Sequence, residues 1–334
     1  MALLIFIAEG CKKKSGVPKP DVSDIEADIH IIRFEKNIMQ ANENNYRLVL
    51  DSLQKNYPEF FDLYTQDILT MPFNDTSYNV YDTLYKYMIT DKYMLRLFDS
   101  VEHLYADMND VEEKIEDAFK YYKYYFSQDT LPQIYTYIAP FVYQVVMGDS
   151  VIGIELNMFM GKNFAYYSSF AANLPQYILY NFERRNIPVQ VMRMMMDKKI
   201  PNRGAEATLL DDMVAEGKML YYLDLVLPDT PDSVKIGFTE KQITWCEENA
   251  EDTWKFLAGE DLLFSTSIQD KQRYLTEAPT SYNMPKESPG RTTIWVGWQI
   301  VREYMRKNPQ LSLQELLNET DGLKILKESN YDGK

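Results

Sequence analysis

The strand-forming residues of this protein are crowded into one short stretch, and that limits the sheet it can build. Gln133–Ile138, Val142–Met147 and Val151–Glu155 are rich in β-branched and aromatic residues, and Gly148-Asp149-Ser150 between the last two reads as a hairpin turn. Ile29 to Phe34 adds one more strand, with His30 and Arg33 among its apolar positions. Nearly every other segment carries the three- and four-residue apolar spacing of helices. The expected fold is therefore α+β, predominantly helical, with a small, mostly antiparallel sheet.

The helical pattern is most regular after Gly161. Asn173–Phe182 is followed by a methionine-rich helix, Val189–Lys198, and by a long one, Thr208–Leu227, with Leu209, Leu210, Met213, Leu220 and Leu223 on its apolar side. Thr239-Glu240-Lys241-Gln242 forms a capping box, a hydroxyl at the cap and a Gln three residues later, and opens a helix to about Leu257. Cys246 falls on the apolar face of that helix with Ile243, Ala250, Trp254 and Leu257, so it reads as a small core residue. Ser288-Pro289-Gly290-Arg291 is a turn leading into Thr292–Lys307, and Leu313–Leu326 is a weaker terminal helix. Gly297 sits inside the Thr292–Lys307 helix at a cost of about 1 kcal/mol relative to Ala, which a close approach by another helix would justify. Before the sheet, helices are expected at 42–69 with a break at Pro58, at Tyr78–Ile89, Met94–Tyr105 and Asn109–Tyr125. Asp110, Glu112 and Glu113 suit the positive start of the last.

The first eleven residues are of a different kind. Leu3 to Ala8 are continuously apolar, far too few to span a bilayer, and Gly10-Cys11 follows. The pattern resembles the end of a signal peptide with the lipobox of bacterial lipoproteins, in which the cysteine thiol takes the lipid. Residues 1–11 are thus expected to be a lipoprotein signal remnant, with Cys11 the acyl anchor in the bilayer. Residues 12–24, with Lys12-Lys13-Lys14 and Pro18 and Pro20, read as a tether able to extend about 40 Å at roughly 3.3 Å per residue. Residues 25–334 are expected to form one folded domain. No acidic residue immediately follows Cys11; the resemblance to bacterial lipoproteins, whose surface-exported members often carry an acidic signal there, implies a periplasm-facing, lipid-anchored place in the cell envelope.

The chemistry available is sparse. Lys and Arg total 35 against 50 Asp and Glu, a net charge of −15, so no broad basic surface can neutralise nucleic-acid phosphates. Two cysteines exclude a disulfide scaffold. The two histidines, His30 and His103, each lack a second histidine four residues on, so neither forms the zinc-gripping pair of a metallopeptidase helix. No nucleophile elbow, phosphate-binding loop or dinucleotide fingerprint is present. No catalytic residue, metal or cofactor is therefore assigned. The 26 tyrosines serve either a half-buried core and rim or an aromatic contact surface for a glycan or protein.

Several segments together resemble the gliding motility lipoprotein GldB family of Bacteroidetes: Cys11, Val151–Gly161, Asp211–Tyr221, Leu227-Pro-Asp-Thr-Pro231, Lys235–Glu240, Trp245–Asn249, and Ser288-Pro-Gly-Arg with Gly297–Tyr304. The resemblance implies an envelope lipoprotein whose partners belong to the gliding and secretion apparatus. A more distant likeness is to gluzincin-type zinc peptidases, in which a Glu-Gly helix supplies the third zinc ligand. Glu216 stands in that place, in Ala215-Glu216-Gly217-Lys218. The helix expected to carry the two histidines, Val189–Lys198, has neither histidine nor a general-base Glu. The likeness thus implies a degenerate zincin-like architecture, a pseudoenzyme without metal.

These readings converge on a non-catalytic, lipid-anchored protein that acts by binding partners. The alternatives are a metal-independent hydrolase of peptide or glycan, or a glycan-binding lipoprotein. The candidate partner cleft comprises Arg291, Trp295, Trp298 and Glu216. Arg291 is a cation at a helix start, where the dipole disfavours it, so it requires a carboxylate across the fold or on a bound protein. The competing account of the two tryptophans is core packing.

Overall fold

In the computed structural model, residues 19–71, 79–170, 175–201, 204 and 206–334 are described. Cys11 and most of the expected tether lie outside them. The tether's last residues do not hang free: Lys19 Nζ is 2.7 Å from Asp229 Oδ2, and Val22 packs on the core.

Four strands form the sheet: β1 (Ile31–Arg33), β2 (Gln133–Tyr137), β3 (Val145–Met147) and β4 (Val151–Glu155), in the order β1-β2-β4-β3. The hairpin at 148–150 is present, with Val146 opposite Gly153. It is the one antiparallel pairing among these strands. β1 runs parallel to β2, with Ile32 beside Tyr135, and β2 runs parallel to β4, with Tyr135 beside Gly153. The expected mostly antiparallel sheet is thus corrected to a mixed one. A tight turn fixes only the strands it joins. β1 and β2 are separated by a long run of helices, and β2 is joined to β4 through 138–144, β3 and the hairpin, so no tight turn fixes the direction of either pair.

All five residues of β4 are buried, as befits a strand covered on both faces. Gly153 keeps one face flat: a Cβ there would lie 2.8 Å from the Phe60 ring. Phe60 can therefore stack on Tyr135, its centroid at 4.2 Å and its ring inclined by 3°.

The helices follow the sequence pattern with definite breaks. Pro58 divides Tyr46–Asn56 from Pro58–Asp62, because its ring cannot continue the preceding helix. Asn109–Tyr125 and Thr292–Lys307 match their expected spans. The β1 reading was too long, since Phe34 opens the helix Phe34–Ile38. The helix read from Thr239 keeps its capping box but stops at Glu248, and Ala250–Gly259 starts anew beyond Asn249. Leu313–Leu326 is two helices, Leu313–Asn318 and Gly322–Ser329. Asp232–Ile236 and Ile268–Leu275 were not anticipated. The start of the expected Asn173–Phe182 helix lies outside the described residues; Gln176–Leu179 is helical.

Leu209–Val226, the central helix, organises the C-terminal half. Thr208 and Asp211 cap it reciprocally. From Met213 to Val226 every residue except Glu216 is buried, so this helix is surrounded on all sides. The tryptophan helix, Thr292–Lys307, and the methionine helix, Ile187–Asp197, both pack against it. One hydrophobic core runs from Ala27 to Tyr331.

Candidate functional site

Two ion pairs, Arg291 with Glu277 and Arg193 with Glu216, draw on separate segments, the first of them at the start of the tryptophan helix. Arg291 is its first flanking residue and adopts the left-handed conformation, with φ 60°. That conformation is uncommon for a residue larger than Asn or Asp and needs support from its surroundings. Buried hydroxyls supply it. Ser281 and Thr292 both donate to the Pro289 carbonyl, at 2.7 and 2.6 Å, and the Ser288 hydroxyl receives the Ser281 amide at 3.3 Å. Gly290 is required by contact: a Cβ there would lie 2.1 Å from the Ala278 carbonyl oxygen.

Held this way, Arg291 points its guanidinium at Glu277 Oε1, 2.6 Å away, and donates to the Ile236 carbonyl at 3.3 Å. Its Nε is buried with no partner. The carboxylate that a cation at this helix start demands is therefore Glu277, across the fold.

Glu216 projects from the central helix and is 40% exposed. Its neighbour is Arg193 of the methionine helix, Nη1 to Oε2 at 3.9 Å, too long for a hydrogen bond. Arg193 makes no hydrogen bond to any described residue. Arg193 feels the charges of both ion pairs. Burial lowers the Arg193 pKa from its ordinary value; the Glu216 charge opposes this and the nearby Arg291 charge adds to it. Burial raises the Glu277 carboxyl, against the pull of Arg291 and Arg193.

The structure pairs Arg291 with Glu277 and Glu216 with Arg193, so the two expected residues are not paired with each other. It places the other two expected residues elsewhere. Trp295 is 5% exposed and Trp298 fully buried, so both indoles belong to the core and neither lines an accessible cleft. Arg193 had a visible signal: it is the sole charged residue from Ile187 to Met196. Glu277 had none, since it lies in an irregular segment.

Beneath Trp298 is a buried ion network that sequence spacing did not reveal. Asp224 accepts from the Trp298 indole N–H at 2.9 Å, from Arg302 through Nε and Nη2 at 2.8 Å each, and from Lys235 Nζ at 2.9 Å. Arg302 also forks onto Asp232, at 2.7 and 3.0 Å, and lies over the Trp298 ring at 3.7 Å. Burial opposes the Arg302 charge, but the bonds to Asp224 and Asp232 outweigh it and raise its pKa above the ordinary value. The short helix Asp232–Ile236 is consequently fastened to the tryptophan helix at both ends, by Arg302 and by Arg291.

A second buried carboxylate closes the end of β4. Glu155 accepts the Val142 and Tyr143 amides at 3.1 and 3.0 Å and the Asn157 side-chain amide at 2.8 Å. No cation among the described residues pairs with it, and burial pushes its pKa up to about 7. Cys246 is fully buried, and burial raises its thiol pKa, so it is held as an unreactive core residue. No group of three His, Cys, Asp or Glu among the described residues is placed to hold a metal ion. Nor is any helix among them long and apolar enough to cross a membrane.

Comparison with curated proteins and with solved structures returns no match. The family model described as "Gliding motility protein GldB" matches residues 15–333. The match covers nearly the whole chain, and this protein therefore belongs to the GldB gliding motility family.

Proposed function

We propose that this member of the family is a lipid-anchored envelope protein that serves the gliding and secretion apparatus by binding partner proteins and catalyses no reaction. The supporting observation is the pair Arg193 and Glu216. In the gluzincin likeness these two helices would grip a zinc ion between them. Here the carboxylate of Glu216 already faces a cation supplied by the neighbouring helix, at 3.9 Å, and a divalent ion beside Arg193 would meet direct charge repulsion. What the four-residue cluster does offer is exposed, oriented charge on a rigid support, which suits recognition. In this reading Cys11 holds the protein to the bilayer, facing the periplasm.

Crosslinking in living cells, followed by mass spectrometry of the co-purified envelope proteins, tests the proposal. Reproducible adducts with components of the apparatus are expected. Metal-independent turnover of a peptide or glycan by the purified protein would overturn the non-catalytic part.

A further inference from the structure

We propose that Arg193, with Arg291 beside it, receives a carboxylate of a partner protein, either an Asp or Glu side group or the terminal carboxylate of its backbone. The inference rests on the partner-binding reading and names the chemistry of the contact.

The two arginines are not equivalent. Arg291 is committed within the fold, its guanidinium bonded to Glu277 and to the Ile236 carbonyl, and only 14% exposed. Arg193 is 23% exposed and bonded to nothing described; its nearest anion stays at 3.9 Å. A guanidinium carries five N–H donors in a planar fork, and a carboxylate matches that fork with two parallel bonds. Arg193 therefore presents an unfilled, partly desolvated fork on a helix otherwise without charge from Ile187 to Met196.

Charge selects the ligand. Arg193 and Arg291 are balanced by Glu216 and Glu277, so the cluster is formally neutral. A phosphate dianion would be set against two flanking carboxylates. A single carboxylate adds one negative charge and can displace the loose Glu216 contact, which at 3.9 Å is not a hydrogen bond. Arg193 rather than Lys suits the task, because the fork discriminates by geometry as well as by charge.

The test uses the full-length protein in its own cells, with a photo-reactive amino acid at Asp197. Asp197 is exposed and one helical turn beyond Arg193 on the same face. The expected result is an adduct whose crosslinked peptide carries an Asp, a Glu or the partner's terminal carboxylate at the contact; sequencing that peptide distinguishes the sources. Arg193→Gln should reduce the adduct about ten-fold or more, and Arg193→Lys by less, with the melting temperature of the purified protein unchanged within about 2 °C. An undiminished adduct in Arg193→Gln, a crosslinked segment without a carboxylate, or no adduct at Asp197 would overturn the proposal. The same probe at exposed Leu48 and Tyr282 separates the two levels of inference. Silence at every position removes the partner-binding reading itself, whereas adducts elsewhere with none at Asp197 remove only this site.

Discussion

Gly217 and Gly297 face each other across the crossing of the central and tryptophan helices. A Cβ on Gly217 would lie 2.4 Å from the Gly297 carbonyl oxygen, and one on Gly297 would lie 2.0 Å from the Met213 carbonyl oxygen. Both obstacles are backbone, which lacks the freedom of a flexible side group to step aside. The helix-propensity cost of Gly297 is thus offset by the contact it permits.

Gly297→Ala should therefore destabilise, although alanine is the better helix former. The overpacking cost is expected to exceed the propensity gain by about 2 kcal/mol. Gly259→Ala is the control: its Cβ would meet nothing within 4 Å, and it should be neutral or stabilising by up to about 1 kcal/mol. Urea unfolding of the two variants should move the midpoint in opposite directions or leave the second unmoved.

Removing Asp224 strands the buried Lys235 and the partly buried Arg302. Asp224→Ala is expected to cost about 3–5 kcal/mol, because Lys235 is left only a distant contact with Asp232 and Arg302 loses half its bonds. Adding Lys235→Met should restore part of the loss. Additive costs in the double variant would show that the two residues do not interact.

Glu155 gives stability a pH dependence of definite sign. Its folded pKa of about 7 lies above the ordinary 4.5. Its contribution is fully present below the unfolded value and is lost as pH rises through about 7. Between pH 5 and pH 8 the loss is about 3 kcal/mol from this group, at about 1.4 kcal/mol per unit. Comparing denaturation midpoints at the two pH values, Glu155→Gln should flatten the difference seen in the parent. An unchanged slope would mean that Glu155 titrates in its ordinary range.

Trp298→Ala is expected to cost about 3–5 kcal/mol, since the indole is fully buried and its N–H bond to Asp224 is lost with it. Arg291→Ala should cost less, because its ion pair is with a half-exposed Glu277. Equal melting temperatures for the two variants would contradict the placement of Trp298 in the core.

Labelled palmitate should enter the parent protein and not Cys11→Ser. Equal incorporation into both would remove the lipid anchor from the proposal.

Local signals are legible in the sequence. The Thr239–Gln242 cap, the Pro58 break, the 148–150 hairpin and the close approach at Gly297 each depend on a few neighbouring residues, and each has a direct physical cause. Long-range relations were not legible. Nothing in Ile29–Phe34 or Gln133–Ile138 states that they pair in parallel, because both strands carry the same mixture of apolar residues either way. Asp224 and Arg302 are 78 residues apart, and no periodicity connects them. Arg291 and Glu216 were found through turn chemistry and resemblance. Arg193 could have been noticed as a charge in an uncharged run, but its partners could not. The burial of Trp295 and Trp298 followed from helix spacing as readily as a cleft did, and only packing decides between the two.

The docking of Lys19 on Asp229 shortens the leash. From Cys11 the chain has eight residues in which to reach Lys19, a span of at most about 26 Å at roughly 3.3 Å per residue. A lipid at Cys11 would keep the corner that carries Asp229 within that distance of the bilayer and confine the domain to a thin layer. Partners anchored in the same membrane would then meet it at a high effective concentration, so a weak contact at a single guanidinium fork could suffice for assembly in the cell while leaving little trace in dilute solution.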